Sequence, residues 1–226
     1  AGLVFYWDGS NLINSANTSM VGTAYGTTKV GNNYSIFPDN NATYFNGIEK
    51  FIQFVQMSPF GTITFGGWVK FQSIEDFNGL ITIGNNIYIR KNDDGKFLFV
   101  FSGLTDATVS STTSPVVNTW YHVMGTYSGT QVCAYINGKR EDCDPATGTL
   151  TAPNDKTDIG RRATKYSNVT MDEVVIWNRD LSAGEINALY NNSVQGNIKF
   201  QTRLGNNLTD QTNWGNFTNS TGTSGG

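Results

Sequence analysis

Residues 118–143 read NTWYHVMGTYSGTQVCAYINGKREDC, three strand-like runs separated by two turns. Asn137-Gly138 lies between Gln131–Ile136 and the run 139–142. Asn-Gly suits a two-residue hairpin because both central residues of a type I′ turn need positive φ. Ser128-Gly129 makes the turn one hairpin earlier. The stretch is a meander of antiparallel strands. It predicts a β-protein that works through its loops or a sheet face.

The pattern extends outward. Across 62–71, Ile63, Phe65, Gly67, Val69 and Phe71 face one way, and Thr62, Thr64, Gly66, Trp68 and Lys70 the other. Alternation with period two marks a half-buried strand, in which Trp68 is out of place on the polar face. Leu3–Trp7 is apolar on both sides and predicts a covered strand. Tyr44-Phe45 and Phe51–Val55 flank Asn46-Gly47 and predict a strand pair. Runs 80–83, 87–90 and 96–101 follow, with Asp93-Asp94-Gly95 as a turn and Phe97, Phe99 and Phe101 on one core face. The Thr/Ser run 105–114 reads as a mobile loop, and 157–160 and 169–177 complete the sheets. One helix is signed near the end. Ser182 and Glu185 form a capping box, and Leu181 with Ile186 a hydrophobic staple. Ile186, Leu189 and Tyr190 then share a stripe that would lie on the sheets.

These signals predict an all-β fold, an antiparallel two-sheet β-sandwich with one short C-terminal helix. Strand signals recur every 8–12 residues without a linker, so residues 1–196 read as one domain. Residues 197–226 read as a polar Asn/Thr-rich segment, a candidate docking or assembly strand. Formal charge is only −3, and no Lys/Arg run marks a nucleic-acid partner. No apolar run reaches the ~18–20 residues of a membrane span. The Ala1-Gly2 start is read as a mature terminus after signal-peptide removal.

Cys133 and Cys143 flank the Asn137-Gly138 turn. In a two-residue hairpin position 133 faces 142, and one bulged residue in the second arm brings 143 across. The pair is read as a disulfide, which implies an oxidising compartment. Two free thiols and a metal site are the alternatives. Sequons begin at Asn17, Asn33, Asn41, Asn168, Asn191, Asn207, Asn216 and Asn219, candidate N-glycosylation sites of a secreted glycoprotein.

Several of these segments also carry a resemblance. Asn118-Thr-Trp-Tyr-His-Val, Gly125-Thr-Tyr, Tyr135-Ile-Asn-Gly, Asp158-Ile-Gly-Arg, Met171-Asp-Glu-Val-Val-Ile-Trp-Asn-Arg and Leu181-Ser-Ala-Gly-Glu-Ile-Asn-Ala-Leu-Tyr occur in that order. The ordered set resembles laminin G-like domains, and more narrowly the concanavalin A-like lectin/glucanase jelly roll of bacterial and archaeal surface proteins. That fold hosts lectins, glycosidases and adhesive modules. The resemblance implies a structural Ca²⁺ near the sandwich edge. The matching metal candidates are Asp8, after the first strand, and Asp172, in Met171-Asp-Glu-Val.

The glucanase branch needs two carboxylates on alternate positions of one strand, roughly 5 Å apart. No Glu-x-Asp-x-Glu is present. Asp172-Glu173 are consecutive and would point to opposite faces of a strand. Glu75-Asp76, Asp93-Asp94 and Glu141-Asp142 read as solvated turn carboxylates. His122 is the single histidine, no Gly-x-Ser-x-Gly accompanies it, and it reads as a packing residue. A non-catalytic module is expected. For sugar binding the exposed ring is expected to be Tyr166, in the polar loop Arg161-Arg162-Ala-Thr-Lys-Tyr166. The functional expectation is a secreted surface module for adhesion or glycan recognition, its partner a glycan or surface protein. A self-assembling subunit of an extracellular filament or coat is the alternative, ahead of a glycoside hydrolase.

Overall fold

The computed structural model describes residues 2–9, 12, 16, 20–26, 28–29, 42–55, 61–74, 79–105, 107–151 and 156–194. In chain order the strands are β1 (Leu3–Trp7), β2 (Thr23–Tyr25), β3 (Thr28–Lys29), β4 (Thr43–Asn46), β5 (Phe51–Val55), β6 (Ile63–Phe71), β7 (Gly79–Ile83), β8 (Ile87–Lys91) and β9 (Phe97–Phe101). They continue with β10 (Thr108–Ser110), β11 (Trp120–Tyr127), β12 (Gln131–Ile136), β13 (Lys139–Pro145), β14 (Lys156–Ile159), β15 (Arg161–Arg162), β16 (Lys165–Tyr166) and β17 (Asn168–Trp177), before helix α1 (Ala183–Val194).

Two antiparallel sheets form the jelly-roll sandwich. The first runs β13-β12-β11-β6-β17-β4-β3, with β1 also on β17; the second runs β10-β9-β8-β7-β14-β5-β2. Their inner faces meet through Phe65, Val69, Phe71 and Val123 on one side and Ile81, Ile89, Phe97, Phe99 and Phe101 on the other, all fully buried. Phe65 meets Phe101 edge-on at 5.6 Å, and Phe5 meets Phe54 likewise at 4.8 Å. Each such side chain contributes roughly 1.5–3 kcal/mol through burial. No helix among the described residues is long and apolar enough to cross a membrane.

The meander folds as read. Asn137 and Gly138 have φ of 50° and 75°, the positive values a type I′ turn requires. Cys133 pairs with Cys143, and the two form a disulfide. Ala134 faces Asp142 while Tyr135 faces Arg140, so Glu141 is the bulged residue that brings Cys143 into register.

Tertiary structure overrides three local readings. β4 and β5 are not a strand pair. β4 joins β17 and β3, whereas β5 joins β14 and β2 in the opposite sheet. The turn between them, with Gly47 and Glu49 at positive φ, changes sheets instead of closing a hairpin. The run 105–114 contains an edge strand, β10, paired with β9. β6 is covered on both faces. Its outer Trp68 is 2% exposed because α1 lays Tyr190 on it, ring centroids 5.7 Å apart.

Helix α1 starts as its capping box dictates. The Ser182 N–H donates to the Glu185 carboxylate at 2.8 Å, and the Glu185 N–H donates to Ser182 Oγ at 3.3 Å. Burial pushes the Glu185 carboxyl up, but hydrogen bonds from Arg179 and Ser182 outweigh it and hold it below its ordinary value. Leu181, Ile186 and Leu189 join Tyr6, Met124, Cys133, Tyr135, Val175 and Trp177 in a second core on the outer face of the first sheet. His122 belongs to this layer. It is 5% exposed, lies 5.2 Å from Trp68 and 6.0 Å from Tyr190, and burial lowers its pKa to about 3.

Candidate functional site

The outer face of the second sheet has a different character. One cross-strand row runs Thr23, Gln53, Asp158, Thr82, Tyr88, Val100, Thr108. The β15–β16 hairpin leans over this face. Its approach needs a glycine at 79, where a Cβ would lie 2.4 Å from Arg162 Cβ and 2.6 Å from its backbone nitrogen. The Thr82 hydroxyl donates to the Arg161 carbonyl at 2.8 Å, and the Ser167 hydroxyl to the Gly79 carbonyl at 2.6 Å.

The hairpin sets a polar network against a group of rings. Arg161 donates from Nε and Nη2 to Asp158 Oδ2 at 3.0 and 2.7 Å, and Gln53 Nε2 donates to Asp158 Oδ1 at 2.8 Å. This fork satisfies a carboxylate that is 3% exposed and would be costly to bury unpaired. The same guanidinium sits 3.5 Å from the centroid of Phe51. Tyr25 stacks on Phe51 at 4.3 Å with the planes 4° apart, and Tyr166 lies 6.0 Å from Phe51. Tyr25 is 42% exposed, while Tyr166 is half-buried. The ring expected to stand free therefore packs beside a platform whose open member is Tyr25. Arg162 lies 4.0 Å over the Tyr88 ring. Rings with fixed amide, carboxylate and guanidinium groups beside them are what a saccharide site requires.

Asp8 follows β1, and Asp172 lies within β17 where its pairing passes from β4 to β1. β4 pairs with residues 168–171 of β17, and β1 with its residues 174–177, so the two lie end to end along one edge. The β17–β6 register shifts between Asp172 and Val175, and Glu173 has a φ of 50°. This bulge overturns the reading of Asp172-Glu173 as regularly alternating strand positions. Asp172 is fully buried, with Asp8 at 5% exposure. Asp172 Oδ1 accepts the Glu173 N–H at 2.9 Å. Burial raises the Tyr6 hydroxyl far above its ordinary pKa, assisted by a hydrogen bond to Glu173 and by the charges of Glu173, Asp8 and Asp172. Among the described residues no group of three or more His, Cys, Asp or Glu is placed to hold a metal ion.

The remaining carboxylate pairs do local work. Asp93 and Asp94 sit 3.8 and 4.0 Å from Arg90 and Lys96, and Glu141 accepts the N–H groups of Thr112 and Thr113. Glu75-Asp76 lie outside the described residues, as do residues 197–226 and the sequons at Asn17, Asn33, Asn41, Asn207, Asn216 and Asn219. Asn191 is exposed on α1. Asn168 is half-buried; it accepts from the Tyr44 hydroxyl at 3.1 Å and donates to Ser73 Oγ at 3.1 Å.

Two antiparallel sheets packed face to face define a jelly-roll β-sandwich. The family model for the concanavalin A-like lectin/glucanases superfamily matches residues 50–187, and the chain belongs to that superfamily. No protein of curated function matches the sequence. Among solved structures, the binding domain of Paraclostridial Mosquitocidal Protein 1 superposes with a TM-score of 0.67 at 16% identity, over 84% of this chain and 52% of that one. Domain 4 of an extracellular arabinanase from Geobacillus stearothermophilus, in complex with arabinotriose, gives 0.63 at 16% identity over 83% and 98%. A botulinum neurotoxin type C structure, whose cell entry is described as dependent on two ganglioside molecules, gives 0.63 at 15% identity over 85% and 51%. The chain spans about half the length of the mosquitocidal-protein and botulinum neurotoxin structures. At such identities the likeness is one of fold.

Proposed function

We propose that this chain is a secreted, non-catalytic glycan-binding module, with the outer face of the second sheet as its binding surface. The observation that carries this reading is the Tyr25–Phe51–Tyr166 ring group beside the Gln53–Asp158–Arg161 network. Sugar C–H faces lie on aromatic rings, and hydroxyls take the directional bonds. Asp158 orients: its bonds to Arg161 and Gln53 fix those two side chains in place. The disulfide supports an oxidising, extracellular setting. A glycan array with the wild type and with Tyr25→Ala and Tyr166→Ala tests the reading. Saturable binding lost in both variants is expected, and no binding to any saccharide overturns it.

A structural Ca²⁺ at the junction of β1, β4 and β17 is a companion proposal. Its donors there would be the Asp8 and Asp172 carboxylates completed by carbonyl oxygens, an all-oxygen set that suits this ion. The two buried acids support it. At 100 times its Kd, Ca²⁺ would add about 2.7 kcal/mol to folding stability. Thermal melts with Ca²⁺ and with a chelator that do not differ would exclude the ion.

A further inference from the structure

The β15–β16 hairpin breaks a rule of sheet pairing. Arg162 and Lys165 are direct cross-strand partners, and like charges placed opposite each other destabilise a ribbon. Neither has a carboxylate partner among the described residues. The acid nearest in sequence, Asp158, is taken by Arg161 and Gln53. Arg162 Nε is buried with no hydrogen-bond acceptor among the described residues, while its guanidinium rests on Tyr88. Lys165 is exposed. The chain as a whole carries −3, whereas this tip is cationic. Gly79 is kept free of a side chain so that Arg162 can sit there. Local rules are broken in this way where a ligand supplies the missing partner.

We propose that Arg162 and Lys165 form the anion subsite of the glycan face and take the carboxylate or sulfate of an acidic saccharide. This rests on the glycan-binding reading above and names the substrate class. A guanidinium offers a planar pair of N–H donors to either oxyanion, and a lysine adds a mobile point charge. Arg162 is preset by its stack on Tyr88, so little freedom is lost on binding.

Titration calorimetry tests this with three probes of equal length: a sulfated oligosaccharide, an oligouronate and a neutral oligosaccharide. The wild type is expected to bind an acidic probe at least about tenfold more tightly than the neutral one, with the gap shrinking as salt rises. Preference for the sulfated or the carboxylated probe identifies the oxyanion. Arg162→Gln and Lys165→Gln are each expected to erase most of the gap, and Lys165→Gln, at an exposed position, to leave neutral binding unchanged without lowering the Tm. The exposed Lys165 keeps the test valid if Arg162→Gln perturbs folding. Equal binding of acidic and neutral probes, or a preference that survives both variants, overturns the anion subsite alone. Absence of binding to all three probes overturns the glycan reading together with it.

Discussion

Replacing His122 by phenylalanine should remove a defined part of the pH dependence of folding. His122 lies buried between Trp68 and Tyr190, and its pKa falls from the usual 6.5 to about 3. The folded state therefore holds it neutral, while the unfolded chain protonates it below about pH 6.5. Stability rises with pH wherever the unfolded state binds more protons, so it is lost as pH drops through 6.5 and continues to fall until about pH 3. Between pH 7 and 5.5 the loss integrates to about 1.3 kcal/mol, since native protonation is negligible there. This is the sole histidine, and that window lies above ordinary carboxylate titration. Phenylalanine keeps a ring between the same partners, and no hydrogen bond is lost at Nδ1, which has none among the described residues. The backbone N–H of residue 122 still donates to Asn137 Oδ1. Urea unfolding at pH 7.0 and 5.5 is the assay. The wild type should lose about 1.3 kcal/mol, or roughly 3–5 °C in Tm for a chain of this size, and His122→Phe should lose almost none. A wild-type midpoint that does not move, or two proteins that move in parallel, would refute the assignment.

Two further outcomes follow from the packing. The disulfide closes a short loop, Cys133 and Cys143 being 10 residues apart. The double variant Cys133→Ala/Cys143→Ala should be less stable by about 3 kcal/mol, and an unchanged denaturation midpoint would contradict this. In a host that glycosylates Asn, peptide mapping should find glycan at Asn191 and none at Asn168. The Asn168 amide is committed to Tyr44 and Ser73, and Thr170 is buried, its hydroxyl accepting from Gln72; a glycan at Asn168 would count against that geometry.

The sequence carried the meander, the bulged disulfide and the capped helix because each is written in residues close together along the chain. A type I′ turn needs only Asn137 and Gly138, and a capping box only Ser182 and Glu185. Partner choice over long separations was not written that way. Nothing local distinguishes β4 and β5 as members of opposite sheets, since a glycine turn serves a hairpin and a sheet crossing alike. The bulge at Asp172-Glu173 was invisible because a glutamate at positive φ is imposed by the strands around it. On the candidate face, Asp158 and Arg161 lay within the recognised Asp158-Ile-Gly-Arg segment, but their pairing across a strand end could not be read. Tyr25 had no signal. It sits in a Gly- and Thr-rich stretch and acquires meaning only when β2 pairs with β5 and brings it onto Phe51.

The two outer faces explain why the proposed binding surface lies on one sheet. A sheet exposed on its outer side must either be sealed or be polar. On the first sheet α1 seals it. Trp68, Met124, Tyr135 and Trp177 disappear beneath Leu181, Ile186, Leu189 and Tyr190, and even a histidine is forced to stay neutral there. On the second sheet the hairpin brings cations where α1 brings aliphatic side chains. Arg161 and Arg162 reach the rings through their guanidinium faces, so the aromatic surface is contacted without being buried in hydrocarbon. The apolar seal under α1 cannot be opened without exposing a core. One outer face is thereby sealed by hydrocarbon, and the other carries the polar and cationic groups on which the proposed binding surface rests.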